Sequence, residues 1–116
     1  MVSFFHKNVF WPASVQAKCR LGMLKLYPSQ HAIKAMRDDR YGCFSIPVAI
    51  DTNSAEAIEA EVVGGEVVKV LYRIPLNRQN DVCIAVIPQN GVVKTAWLNR
   101  IDDKHNTLNV SKYKKG

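Results

Sequence analysis

The chain has 116 residues, of which 47% are apolar and 22% charged, and this composition excludes an intrinsically disordered protein and predicts one folded domain. Sixteen lysines and arginines against ten carboxylates give a net charge of +6, which favours polyanionic partners such as RNA, DNA or anionic lipid. No run approaches the ~20 apolar residues of a membrane-spanning helix, so we expect no membrane partner.

The three cysteines, at positions 19, 43 and 83, are widely spaced and form no CxxC pair. This spacing excludes a zinc ribbon and a thioredoxin motif. An odd number of cysteines with no evident disulfide pattern is typical of proteins in a reducing compartment. The N-terminus also lacks the apolar segment of a signal peptide. We therefore expect a soluble cytoplasmic protein.

The first 24 residues are rich in aromatic side chains, namely Phe4, Phe5, Phe10 and Trp11. They are too apolar for a free tail, and we expect them to lie on the domain or against a partner. Pro12 and Ser14 predict the start of a short helix that continues to Cys19. Residues 24–27 are expected to form a short extended segment.

A second helix is predicted from residue 30 to residue 40. Ser29 is a favourable N-cap, Gly42 fits the helix end, and an apolar stripe contains Ala32, Ile33 and Met36. Residues spaced by three lie close to one face of a helix, and here they are His31, Lys34 and Arg37. Residues 45–54 predict turns around a small apolar anchor, 48–50.

From residue 57 onward the pattern is that of β-strands. Two pairs of apolar runs flank Gly64-Gly65 and Pro88-Gln89-Asn90-Gly91, and both turns are typical of β-hairpins. A two-residue turn at Asn90-Gly91 would pair Ile84 with Trp97, and Val82 with Asn99. The predicted fold class is α+β: an N-terminal helix or helices packed on a four-stranded antiparallel β-meander, in a single domain of residues 1–116.

This order of features resembles the barnase–EndoU–colicin–RelE group of small ribonucleases, and looks most like members from phages and bacterial toxin systems. The resemblance covers about residues 25–113, with 1–24 as an extension and 114–116 as a basic tail. The residues that carry it are Ser29-Gln30-His31-Ala32, Arg37 and Arg40 on the helix, then Thr95-Ala96-Trp97-Leu98-Asn99 and Asp103-Lys104-His105-Asn106-Thr107-Leu108.

The resemblance implies a metal-independent endoribonuclease that needs no cofactor, in which the RNA 2′-hydroxyl attacks the adjacent phosphate. Such a reaction requires a base, an acid and phosphate-binding cations, and the pKa of histidine suits the first two roles. The catalytic candidates are therefore His31, His105, Arg37 and Arg73. The candidates for contacting RNA or its phosphates are Arg40, Lys104, Asn99, Thr107, Trp97 and Tyr72, the last two by stacking on a base.

Simpler structural interpretations remain open for these residues. A histidine in the first helical turn, such as His31, is often a surface residue, and a tryptophan in a strand, such as Trp97, is more often part of the core. Arg37 and Arg40 stand beside two aspartates, which is typical of a solvated helix face. The chain contains no phosphate-binding loop, GxGxxG, HExxH or GxSxG motif.

Three hypotheses follow from the sequence. The first is a ribonuclease in which His31 and His105 meet at one rim of the sheet, acting in the cytoplasm, or in a host's cytoplasm if a phage encodes it. The second is a non-catalytic module of the same fold that binds a host protein, an inhibitor protein or a nucleic acid, with the aromatic N-terminus as its interface. The third is a subunit of a larger assembly, with no chemistry.

Overall fold

A computed structural model describes residues 2–6 and 10–100, and for Arg100 it describes the backbone only. The described part is mostly β, with 49% of residues in strands and 16% in helices. In chain order the elements are β1 (Val2–His6), α1 (Ala13–Cys19), β2 (Met23–Lys25), β3 (Tyr27–Pro28), α2 (Gln30–Arg37), β4 (Ala49–Asp51), β5 (Glu56–Val63), β6 (Glu66–Pro75), β7 (Asn80–Ile87) and β8 (Val92–Arg100).

The predicted fold class, N-terminal helices on a four-stranded meander, is wrong. Strands β5 to β8 do pair in succession, but the sheet has six strands in the order β1-β5-β6-β7-β8-β3, and β2 and β4 form a second, two-stranded sheet. The prediction missed β1, which pairs antiparallel with β5 across more than fifty residues of sequence. It also missed the parallel pairing of β3 with β8, although residues 24–27 are expected to be extended. Long-range pairing of short edge strands leaves little trace in local sequence patterns.

Both hairpin turns are confirmed, but the predicted register of the second hairpin is wrong. Ile84 pairs with Ala96 instead of Trp97, and Val82 pairs with Leu98 instead of Asn99. Two features cause the shift. The connection has four residues, so that β7 and β8 first pair at Ile87 and Val92, and a bulge then adds one residue to β8 beside Ala85 and Val86.

The two helices begin where the sequence predicts. In α2 the Ser29 hydroxyl accepts a hydrogen bond from the backbone N–H of Ala32 at 3.0 Å, which confirms the N-cap. The helix ends at Arg37, three residues before the predicted end. The side chain of Asp39 accepts hydrogen bonds from the backbone N–H groups of Tyr41 and Leu98, and such side-chain bonds compete with helix continuation.

The six-stranded sheet has two different faces. The face that we call the helix face packs against Val15 and Cys19 of α1 and Ala32 and Met36 of α2, and it forms the main core. The opposite face, called the second face below, carries a smaller buried cluster of Ile58, Leu71, Cys83 and Ala85 with Trp97 packed against it. Within the described ranges, no helix is long and apolar enough to cross a membrane.

Candidate nucleic-acid interface

Helix α2 lies along the outer edge of β8 and is attached to it at both ends. The backbone N–H of Ser29 donates to the carbonyl of Val93 at 3.0 Å, and the Ser29 hydroxyl donates to the carbonyl of Lys94 at 3.2 Å. Beyond the other end, the backbone N–H of Leu98 donates to Oδ1 of Asp39 at 3.1 Å. Eight helical residues rise about 12 Å and four strand steps about 13 Å, so the helix matches this edge in length.

The outer side of α2 is basic. The helix buries Ala32 and Met36, while His31, Lys34 and Arg37 are exposed. The turn that follows adds Arg40, whose guanidinium lies 4.7 Å from the ring centroid of Tyr41. Exposed Lys94 lies at the N-terminal end of the helix, next to Ser29. We call this group the α2 surface; its members are His31, Lys34, Arg37, Arg40, Tyr41 and Lys94.

Two carboxylates accompany the four permanent cations of the α2 surface. Asp38 lies 3.4 Å from the Arg37 Nε, but both side chains are more than half exposed, so water screens this ion pair. Asp39 is half-buried and is engaged by backbone N–H groups. The surface therefore keeps a net positive charge, and Arg40 and Tyr41 add a stacked cation and aromatic ring of the kind that contacts unpaired bases.

Arg73, a predicted catalytic residue, lies on the second face. Its Nε donates to Oδ2 of Asp81 at 2.6 Å, with only 14% and 16% of the two side chains exposed. In the sheet register Arg73 pairs with Cys83, and Cys83 pairs with Trp97. Because α2 packs on the helix face, the sheet separates Arg73 from His31 and Arg37. The structure does not bring the three together.

Trp97 and Asn99 also belong to the second face. Trp97 is half-buried against the small cluster around Cys83. Asn99 pairs with Asp81 in the register and is 2% exposed, and its Nδ2 has no hydrogen-bond partner among the residues that the structure describes. Neither side chain belongs to the α2 surface, although Leu98 between them is bonded to Asp39.

Tyr72 is part of the main core. Its ring is fully buried, and its hydroxyl donates to the carbonyl of Cys19 at 2.6 Å. Burial raises the pKa of the Tyr72 hydroxyl, with a smaller contribution from the neighbouring Cys19. Burial likewise raises the pKa of the Cys19 thiol to about 11. A buried ring cannot stack on an RNA base without rearrangement of the core.

The remaining predicted residues, Lys104, His105 and Thr107, lie outside the described residues. The juxtaposition of His31 and His105 stays a prediction. Sequence reasoning left Lys34, Tyr41 and Lys94 out of the site. The spacing of three residues between His31 and Lys34 indicates that both lie on one face of the helix, so the sequence alone could have assigned Lys34 to the site. Lys94 is placed beside the helix only by the contact between Ser29 and β8.

The aromatic N-terminal segment divides into packed and exposed side chains. Phe5 and Trp11 pack against the main core, which weakens the hypothesis that the whole segment is an interface. Phe4 and Phe10 are exposed, Phe10 to 83%.

No protein-family model matches the sequence, and no curated protein and no solved structure is significantly similar to it. Among the described residues, no group of three or more His, Cys, Asp and Glu side chains is arranged to hold a metal ion.

Proposed function

We propose that the protein binds RNA through the α2 surface. The observation that carries the proposal is the grouping of Lys34, Arg37, Arg40 and Lys94 along one exposed edge. Lysine and arginine supply most of the affinity for a phosphate backbone. The Arg40–Tyr41 pair offers a platform for an unstacked base, which favours single-stranded RNA over a duplex.

Cleavage is the second step of the proposal: a small metal-independent endoribonuclease of the kind that the resemblance implies, acting in the cytoplasm. His31 is exposed one helical turn from Lys34, so a phosphate held by the α2 surface lies near its imidazole. His31 would accept the proton of the 2′-hydroxyl as this oxygen attacks phosphorus. The bond from phosphorus to the 5′-oxygen then breaks, and His105 would protonate that oxygen.

Arg73 is not among the residues that we propose for RNA cleavage. It is paired with Asp81 and lies across the sheet from His31. The α2 surface supplies other cations for the developing negative charge on the phosphate, namely Lys34, Arg37 and Arg40.

The cleavage proposal is tested with labelled single-stranded RNA and total tRNA in EDTA. We expect wild-type protein to leave 2′,3′-cyclic phosphate and 5′-hydroxyl ends, and His31→Ala and His105→Ala each to lower the rate by about 100-fold or more. If folded protein at high concentration cleaves no RNA, the cleavage proposal is contradicted. The α2 surface would then be a site that binds RNA without cleaving it.

RNA binding is tested separately with two double variants of equal charge change. Arg37→Gln/Arg40→Gln removes two cations from the α2 surface, whereas Lys18→Gln/Arg78→Gln removes two exposed cations elsewhere. We expect only the first to weaken binding at every salt concentration and to lower the slope of log K against log salt by about 1 to 2. Equal losses in both variants would contradict a localised interface.

A further inference from the structure

A cavity of about 430 Å³ lies between α1, the segment that precedes it and the chain from the end of β4 to the start of β5. Its volume falls within the range of roughly 300 to 1,000 Å³ that is typical of small-molecule sites. The lining combines aromatic, cationic and hydrogen-bonding side chains, among them Phe10, Trp11, Gln16, Arg20, Thr52 and Glu56. The α2 surface lies elsewhere, along β8.

Hydrogen bonds hold the walls of this cavity in place. The Trp11 indole N–H donates to the carbonyl of His6 at 2.7 Å, and the Gln16 amide donates to the carbonyl of Trp11 at 2.8 Å. The Thr52 hydroxyl donates to the carbonyl of Gly22 at 2.7 Å and accepts from the backbone N–H of Leu21 at 2.7 Å. These bonds hold Trp11, Gln16 and Thr52, so this part of the wall needs no ordering when a ligand binds.

Arg20 is the cation of the cavity. Its guanidinium forms no ion pair or hydrogen bond within the described residues, and its side chain is exposed. A guanidinium in this state is suited to a phosphate or carboxylate, which it can bind through two parallel N–H groups.

The aromatic residues define the rest of the ligand. Since the Trp11 N–H is already used by His6, the indole offers the cavity its ring and no donor. Phe10 is 83% exposed, although it lines the cavity, so a bound planar ring would cover apolar surface that is now in water.

We propose that this cavity binds a nucleoside monophosphate, with the base against Trp11 and Phe10 and the phosphate on Arg20. The class combines the two properties that the lining selects: a planar ring and an anionic group. The site is separate from the α2 surface, and the proposal does not depend on RNA binding there.

The test is calorimetric titration of the full chain with AMP, adenosine and inorganic phosphate. We expect saturable binding of one AMP per chain, with adenosine and phosphate each weaker by about tenfold or more, because each lacks one of the two recognised groups. Arg20→Gln should weaken AMP binding by about tenfold, while Arg78→Gln, which changes an exposed arginine outside the cavity, should leave it unchanged.

Three outcomes would overturn the proposal: no AMP binding by folded protein, AMP binding no tighter than phosphate binding, or equal affinities for wild type and Arg20→Gln. Titration of AMP into Arg37→Gln/Arg40→Gln separates the two sites. Full AMP affinity together with lost RNA affinity assigns AMP to the cavity, whereas loss of both places AMP on the α2 surface and contradicts the cavity site.

Discussion

Asp39 fastens the turn after α2 to the edge of β8, because its Oδ1 accepts a hydrogen bond from the backbone N–H of Leu98 at 3.1 Å. Its Oδ2 accepts another from the backbone N–H of Tyr41 at 3.0 Å. One carboxylate therefore satisfies an edge-strand donor and also fixes the turn that carries Arg40 and Tyr41. The position of the proposed RNA platform depends on this residue.

Replacement of Asp39 by alanine removes both of these charge-assisted hydrogen bonds. We expect the free energy of unfolding to fall by about 2 kcal/mol in urea titrations. The matched control is Asp38→Ala, which removes only an exposed ion pair with Arg37 and should cost less than about 0.5 kcal/mol. Faster hydrogen exchange of the Leu98 amide in Asp39→Ala alone would localise the effect, and equal losses in the two variants would contradict it.

Gly91 is required where the second hairpin meets β3. Its φ is +77°, and a Cβ atom there would overlap the carbonyl oxygen of Lys25. We expect Gly91→Ala to lower the free energy of unfolding by about 2 to 5 kcal/mol, from backbone strain together with steric overlap. The measurement is urea unfolding monitored by circular dichroism.

The control for that substitution is Gly64→Ala. Gly64 also has positive φ, +56°, but a Cβ there would meet nothing within 4 Å. Its cost should be only the strain of about 1 to 2 kcal/mol. If both variants lose the same stability, steric contact between Gly91 and Lys25 is not the reason for the glycine.

The Arg73–Asp81 pair supports the sheet and stands apart from the proposed RNA interface. We expect Asp81→Asn to lower the free energy of unfolding by about 2 kcal/mol, because it leaves a mostly buried guanidinium without its counter-charge. Arg73→Gln should likewise destabilise the protein and leave its RNA affinity unchanged. A loss of RNA affinity in folded Arg73→Gln, measured by fluorescence anisotropy, would return Arg73 to the candidate site.

The sequence was sufficient to locate those features that local chemistry determines. Ser29 is an N-cap by residue type, and Gly64-Gly65 and Asn90-Gly91 mark turns, because glycine readily adopts positive φ. The register of β7 and β8 was not predictable from the turn alone, since the extra residue in β8 depends on how both strands pack. Strand β1 was missed because its partner, β5, is distant in sequence.

The candidate site was only partly predictable for the same reason. His31, Arg37 and Arg40 share one surface because they are close in sequence on or beside one helix. Whether Arg73 and Tyr72 belong to the site depends on their position in the folded sheet. Side chains alternate along β6, so these two residues lie on opposite faces. Both faces of β6 carry apolar residues, so the sequence pattern alone did not show which of them packs against the helices.

Alkaline pH should destabilise the protein through Cys19 and Tyr72. Burial raises the pKa of Cys19 from 9.0 to about 11, and that of Tyr72 above its ordinary value of 10.0. At pH 7 both groups are protonated in the folded and the unfolded chain, so they add no pH dependence there. Above pH 9 the unfolded chain releases these protons first, and the free energy of unfolding falls by up to about 1.4 kcal/mol per pH unit for each group that titrates.

Urea unfolding at pH 7, 9, 10 and 10.5 measures this loss of stability. The variant Cys19→Ala shows how much of the loss comes from the Cys19 thiol. The variant lacks the thiol, so the stability difference between wild type and Cys19→Ala should shrink by about 1 kcal/mol per pH unit above pH 9. A stability difference that stays constant with pH for Cys19→Ala would contradict a pKa of the Cys19 thiol that burial raises.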